Sequence, residues 1–262
     1  MPNHVINPST RQAPLGQRVS RLTPEDTVRI KRVWRLAIPA PFIHYPSVSA
    51  ARVVVPEILD HLPPDDPEAL RSRRDLRRIN AFLGNERWVL KTARRFPEAA
   101  AKGITEIGSG DGHLTRKLAR VFPSTTITAL DLAPAPTNLP PNIRWQQGDL
   151  FEFPATITGG ILIANLILHH FEGEALLRLG DLTAGFDVII FNEPARAKLP
   201  HLMGRLADPF INRVTRHDMH VSIDAGFAPG ELSVLMDLPA KRWQIEEHST
   251  WRGAIRVLGW RD

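Results

Sequence analysis

One short stretch, Glu106-Ile-Gly108-Ser109-Gly110-Asp-Gly112-His-Leu-Thr, constrains the fold more than any other part of the chain. The apolar run Ile104–Ile107 leads into it and the amphipathic run His113–Val121 leaves it. Glycines at alternate positions belong where the backbone must take positive φ or where a ligand approaches the main chain closely. A strand that ends in such a turn and continues as a helix suits an open α/β sheet, whose ligands gather beyond the carboxyl ends of its strands.

The rest of the chain supports that architecture. After Gly103, short apolar runs alternate with helical stretches, the texture of a parallel sheet covered on both faces. The spacing predicts strands at Ile104–Ile107, Thr125–Leu130, Ile143–Gln147, Gly160–Leu166 and Phe186–Asn192. Helices are predicted at His113–Val121, Glu172–Leu182, Pro200–Arg213 and Pro229–Leu235. Trp243–Thr250 and Ala254–Trp260, joined by Trp251-Arg252-Gly253, read as an antiparallel pair. Ahead of the sheet, residues 49–102 form a helical cap: Leu70, Leu76, Ile79, Phe82 and Leu83 fall at helical spacing with an inward apolar stripe, Gly84-Asn85 breaks it, and a second helix carries Trp88, Leu90 and Phe96. The sheet domain is then 103–262 and residues 1–48, rich in proline, are an accessory arm.

Charge and composition remove whole classes of function. The arm holds Arg11, Arg18, Arg21, Arg29, Lys31, Arg32 and Arg35 against Glu25 and Asp26, which accounts for the entire formal net charge of +5 and leaves the body balanced. A nucleic-acid footprint would therefore rest on the arm or on a local cluster such as Arg71-Ser-Arg-Arg-Asp-Leu-Arg-Arg78, and a solvated helix face explains that run more simply. Nucleic acid is not the expected partner. Zero cysteines excludes disulfide scaffolds, thiolate zinc sites, iron–sulfur clusters and a cysteine nucleophile. No window reaches the roughly 20 apolar residues of a membrane span, and residues 1–16 lack a signal-peptide pattern, so a cytoplasmic location is expected.

The turn itself discriminates among cofactors. A dinucleotide fingerprint needs a glycine three positions after Gly110, where His113 stands, and a phosphate-binding Walker loop needs Lys followed by Ser or Thr after its last glycine, where His113-Leu114 stands. What remains, acidic-x-Gly-x-Gly-x-Gly, resembles the first motif of the class I S-adenosylmethionine-dependent methyltransferases. The resemblance implies a Rossmann-like class I methyltransferase fold, with a seven-stranded, mostly parallel sheet, an antiparallel C-terminal strand pair and an N-terminal helical cap. It also implies S-adenosylmethionine as cofactor, held by Glu106, Gly108, Ser109, Gly110 and Gly112, by Asp131 with Leu132 after the second strand, by Asp149 with Leu150 after the third, and by Asn165 at the end of the fourth. Asp131 offers two acceptor oxygens for both ribose hydroxyls, and Asp149 matches the family's acceptor for the adenine amino group.

From Ile104 onward the likeness is nearest to the small-molecule branch, which includes quinone-biosynthesis methyltransferases and bacterial relatives associated with type III polyketide synthases. Arg74-Asp-Leu-Arg-Arg-Ile-Asn80, the Asn165-Leu-Ile-Leu-His169-His170-Phe strand end and His217-Asp-Met-His-Val-Ser-Ile-x-x-Gly-Phe227 carry it. A phenolic or polyketide-like acceptor follows, methylated on oxygen or carbon. Transfer to a phenol needs a base, and His169 aligns with the base of phenolic O-methyltransferases that carry Leu-His-Asp-Trp there; His170 beside it serves equally as a base or as a structural residue. Asn192 and Arg196 after the fifth strand, and His217, are assigned to the acceptor, Arg196 as partner of a carboxylate. Phe42, Tyr45, Phe82 and Trp88 could roof an aromatic acceptor, with core packing the simpler explanation for Phe82 and Trp88. No metal is expected, His217-Asp218-Met-His220 notwithstanding. Two readings stay open beside this one: an RNA methyltransferase, and a non-catalytic protein that only binds the cofactor.

Overall fold

Seven short runs pair into one sheet, and those at its centre, rich in isoleucine, valine and leucine, are buried on both faces. In the computed structural model, which describes residues 51–63, 65–153, 157–241 and 243–261, these runs form β1 (Ile104–Ile107), β2 (Ile127–Asp131), β3 (Ile143–Gln147), β4 (Ile161–Asn165), β5 (Val188–Pro194), β6 (Gln244–Ser249) and β7 (Ala254–Trp260). The spatial order is β3-β2-β1-β4-β5-β7-β6. The first five strands are mutually parallel, while β7 runs antiparallel to both β5 and β6. The order reverses between β1 and β4, so the loops leaving these two strands diverge and open a crevice at their carboxyl ends.

Alternation along each strand divides the core between two layers. Ile189 and Phe191 of β5 pack with Leu176, Leu179, Phe227 and Trp243 on one face, and Val188 and Ile190 pack with Val89, Leu114 and Leu118 on the other. The helices that supply these layers are α1 (Ile58–His61), α2 (Pro67–Leu83), α3 (Asn85–Ala93), α4 (Pro97–Ala101), α5 (His113–Val121), α6 (Gly173–Leu182), α7 (Lys198–Ala207), α8 (Arg213–Asp224) and α9 (Glu231–Leu235). Among the described residues no helix is long and apolar enough to cross a membrane.

Two expectations need correction. The single helix predicted over Pro200–Arg213 is α7 followed by a short 3-10 turn at Asp208–Phe210; Asn212 then starts α8, its side chain accepting from Thr215 N. Pro209 ends the first helix because it cannot supply the next amide, and α8 is hard to see in sequence because it is polar on most sides. The inward stripe predicted for α2 holds only in part, with Leu76, Ile79 and Leu83 half-buried and Leu70 and Phe82 exposed. Its buried side is Ala69, Ser72 and Asp75, which meet α8 through Ser72 Oγ accepting from Thr215 Oγ1 at 3.0 Å and Asp75 Oδ2 accepting from Asn212 N at 2.9 Å. Leu70 and Phe82 are 49% and 60% exposed, so Phe82 packs in no core, while Trp88 is partly buried as expected. The ends of β1, β3 and β7 fall where the spacing places them, those of β2, β4, β5 and β6 differ by one to two residues, and the spacing gives no sign of α1 and α4. The arm 1–48, with Phe42 and Tyr45, lies outside the described residues.

Gly160 leads into β4 so tightly against α4 that a methyl group there would overlap the carbonyl of Ala99. Gly160→Ala should therefore lower stability by about 3 kcal/mol, the upper range for overpacking, read as a shift in the urea midpoint of unfolding.

Candidate functional site

The glycine turn leaves β1 at the crevice. Gly108, Gly110 and Gly112 all take positive φ, of 68°, 55° and 72°. Gly108 is fixed twice over, because a Cβ there would also stand 2.5 Å from Ile167 Cγ1 in the loop after β4. The amides of Gly108 and Ser109 donate to Leu130 O at 2.9 and 3.2 Å, tying the turn to the end of β2. Asp131, the last residue of β2, completes the tie: its Oδ2 accepts from Gly110 N at 2.6 Å and its Oδ1 from Ala133 N at 2.8 Å. Each oxygen keeps a lone pair for a further donor.

Beneath the turn, Glu106 is 3% exposed and accepts from Thr115 Oγ1 at 2.5 Å. Burial pushes its carboxyl up to about 8, against the pull of the Thr115 hydrogen bond and with help from the neighbouring carboxylates Glu86, Asp131 and Asp111. A cationic ligand above it would favour the charged form. On the other side of Asp131, Gly148 N donates to Asp131 O at 3.0 Å, which brings the β3 end alongside; Asp149 is exposed there and its Oδ1 caps the turn that follows, accepting from Phe151 N at 2.9 Å. Leu132 is 74% exposed and Leu150 partly buried against the core. Asn165 Oδ1 accepts from Asn192 Nδ2 at 3.0 Å, and Asn192 Oδ1 from Arg256 Nε at 3.3 Å.

After Asn165 the chain turns sharply, Leu166 adopting a φ of 61° that a leucine rarely takes. The turn aims three successive amides at one carboxylate. Glu193, fully buried near the end of β5, accepts from Ile167 N, Leu168 N and His169 N at 3.0, 2.9 and 3.3 Å, and from the His169 ring at Nδ1 at 2.8 Å. The other nitrogen of His169, Nε2, lies 3.6 Å from Glu57 Oε1. Burial would lower the imidazole, yet its contacts with Glu193 and Glu57 outweigh that and hold it up at about 9. His170 behaves oppositely: burial and the neighbouring His169 charge hold it below its ordinary value. It is the more exposed of the two, 27% against 4%, with Nε2 3.8 Å from Glu57 Oε1 and Nδ1 3.8 Å from Asp60 Oδ2.

Glu57 and Asp60 arrive from the segment ahead of α2. Arg52 anchors that segment, donating to the carbonyls of His169, Phe171 and Ala225 at 2.5, 2.8 and 2.6 Å over the ring of Phe227. Asp218 of α8 accepts from Ile58 N and Leu59 N at 2.8 and 3.0 Å, and Ser222 Oγ donates to Glu57 Oε1.

The predicted site residues thus separate. Glu106, the glycines with Ser109, Asp131 and Asp149 line one rim, and His169 and His170 stand beyond β4. Asn192 is buried and bridges Asn165 to Arg256. Arg196 does not serve as a free carboxylate receptor: it is 7% exposed, donates to Gly226 O at 2.8 Å and pairs with Glu231 at 2.9 Å. His217 is 48% exposed and bonds Asp218 at 2.9 Å, while His220 contacts His201 at 2.9 Å, so His217, Asp218 and His220 form no common site. Sequence reasoning gave Glu193, within the run Asn192-Glu-Pro-Ala-Arg196, no role of its own, and missed Glu57 and Arg52. An acid inside the apolar strand Val188–Pro194 is a usable signal for the first.

Comparison with known proteins bears on the fold. No family model matches the chain. A methyltransferase of Strobilurus tenacellus is 33% identical over 111 residues, and an uncharacterised methyltransferase of Mycobacterium tuberculosis is 36% identical over 124. These alignments cover 40% and 42% of the chain but only 38% and 62% of the two relatives. The plantazolicin methyltransferase BpumL, solved with SAH and a monoazolic desmethylPZN analogue, superposes with a TM-score of 0.59 at 12% identity, over 75% of this chain and 91% of its own. This is a class I methyltransferase fold. The pyocyanin biosynthetic protein PhzM is similar too, with a TM-score of 0.50 at 17% identity over 76% of this chain and 60% of its own. In a methyltransferase fold the crevice beside β1 and β4 is the ligand end of the sheet, where the glycine turn, Asp131 and the two histidines stand.

Glu193 holds this end together, so Glu193→Gln, which removes the charge but keeps the shape, should lower stability by about 3–5 kcal/mol, as expected when one partner of a buried ionic cluster is lost. Denaturant unfolding of the variant checks it; a change below about 1 kcal/mol would show the cluster to be dispensable.

Proposed function

We propose that the protein transfers a methyl group from S-adenosylmethionine to a small-molecule acceptor, a phenolic or polyketide-like compound, on oxygen or on carbon. The observation that carries this reading is the tie between Gly110 N and Asp131 Oδ2 at the crevice, which holds a glycine turn of positive φ against a carboxylate with free lone pairs. Asp131 takes the ribose hydroxyls, Asp149 the adenine amino group with Leu132 and Leu150 beside the ring, and Glu106 lies under the amino-acid end with Ser109 and the three glycines around it; Asn165 borders the methyl. The methyltransferases similar to this chain in sequence, and BpumL and PhzM in fold, support the class of reaction. The basic run on α2 supports a small acceptor over RNA, because Arg71, Arg77 and Arg78 pair with Glu68, Asp111 and Asp75 on the surface.

In this reading His170 receives the acceptor's proton. It is partly exposed and held in its neutral form, whereas His169 sits between two carboxylates and keeps its proton at neutral pH, fixing Glu57 and Glu193 in place. Asn192 positions Asn165 from behind, and His217 borders the acceptor side through Asp218.

Three outcomes test the proposal. Calorimetric titration with S-adenosylmethionine should show binding that Asp131→Ala weakens by about 1.5–3 kcal/mol, the size of hydrogen bonds to a charged group. Binding near pH 7 should release a proton, because Glu106, protonated below about 8, ionises under a cationic ligand; the observed heat then varies with the ionisation enthalpy of the buffer, and Glu106→Gln removes that variation. Once an acceptor with an ionisable hydroxyl is found, His170→Ala should lower turnover by about 10²–10⁴ with cofactor affinity unchanged. Full turnover in His170→Ala together with loss in His169→Ala would move the base to His169, and absence of cofactor binding by the folded chain would defeat the reading.

A further inference from the structure

Within the cluster beyond β4, the ligand-capable atoms of Glu57, His169 and His170 all lie within 4.8 Å of one another. Glu57 Oε1 is 3.6 Å from His169 Nε2 and 3.8 Å from His170 Nε2. Tetrahedral ligands at bonds of about 2.05 Å stand roughly 3.3 Å apart, so Glu57 needs shifts of only a few tenths of an ångström toward each imidazole, and the two imidazoles, within 4.8 Å of each other, close on one centre by side-chain rotation.

The surroundings match a metal site as well. His169 Nε2 is buried and has no hydrogen-bond partner among the described residues. Its ring donates from Nδ1 to Glu193, which leaves Nε2 facing Glu57 at 3.6 Å. A carboxylate hydrogen-bonded to the far nitrogen of an imidazole is the arrangement that orients metal-bound histidines, and Glu193 supplies it behind His169 at 2.8 Å, while Asp60 stands 3.8 Å from the far nitrogen of His170, close enough to take that place with a small shift. Ser222 holds Glu57, as an outer hydrogen bond holds a ligating carboxylate. Among the described residues, the carboxylates Glu57, Asp60 and Glu193 gather around the loop that Arg52 binds.

We propose that Glu57, His169 and His170 form a binding site for one divalent transition-metal cation of the zinc class, with a fourth position left open on the His170 side. Two imidazoles and a carboxylate favour such an ion over magnesium or calcium, which prefer oxygen ligands throughout. On loading, the cation replaces any proton on His169 Nε2, and that proton leaves to solvent. The site stands independently of S-adenosylmethionine. Its connection with methyl transfer is that a cation here would acidify an acceptor hydroxyl bound at the open position, with His170 then a ligand.

Cobalt(II) is the probe. The full chain, stripped with EDTA, is titrated with cobalt chloride while visible absorption is followed, and S-adenosylmethionine binding is measured calorimetrically on the same preparation. The expected result is a visible d–d band that saturates at one equivalent and is displaced by zinc. Glu57→Gln and His170→Ala should each weaken cobalt binding more than 100-fold, and Asp60→Asn by about 10-fold, the effect of an outer partner, with cofactor binding retained by Glu57→Gln. Circular dichroism reports whether Glu57→Gln folds; if it does not, the partly exposed His170→Ala reads the same site. Absence of the band, or a band that survives both variants and disappears in His201→Ala, would overturn the proposal, the second by assigning the ion to His201 and His220. Cobalt binding without cofactor binding would defeat the proposed function and leave the metal site standing.

Discussion

A single carboxylate organises the end of the sheet that faces the crevice. Glu193 lies in β5 with no exposure to water, and an isolated charge there would be untenable. It persists because the loop after β4 supplies three amides and an imidazole N–H, a complete set of donors. That requirement shapes the neighbours. Leu166 must take a left-handed conformation so that the following amides point inward, and Gly108 must lack a side chain because Ile167 occupies the space where one would stand. The glycine turn and the histidine pair, which come from different strands, are in this way parts of one packing solution.

The two ends of the crevice handle charge by opposite means. Under the glycine turn, Glu106 is desolvated with one hydroxyl partner and near other carboxylates, so it stays protonated until a cation arrives. Beyond β4, His169 is equally buried but is surrounded by carboxylates, so the charged form is favoured despite desolvation. The first end is poised to receive positive charge, and the second already holds it. A cationic group is stabilised at the former and gains nothing from the latter.

Much of this was legible in the sequence. Strand positions and the antiparallel ending follow from alternation of short apolar runs with helices, and the turn after β1 from the spacing of Gly108, Gly110 and Gly112, because these are local patterns with local causes. What was not legible depended on contacts distant along the chain. Leu70 and Phe82 sit at helical spacing, yet Asp66 caps α2 and α8 claims its polar side, so burial follows Ser72 and Asp75 instead. Arg196 looks like a carboxylate receptor until Glu231 is found against it. Glu57 carries no local signature at all, since its role depends on Arg52 fastening that segment to three carbonyls far downstream.

That fastening has a consequence for the order of events during synthesis. Arg52 emerges from the ribosome long before His169, Phe171 and Ala225, the residues whose carbonyls it will bind, and before Asp218, which receives the amides of Ile58 and Leu59. The segment from Arg52 to Asp60 therefore has no place to dock until α8 and the residues just after it have been made. The sheet from β1 to β5 can assemble around its own apolar runs in the meantime. The histidine end of the crevice therefore forms only after β1 to β5 can have paired, in the same late stage of synthesis that supplies β6 and β7.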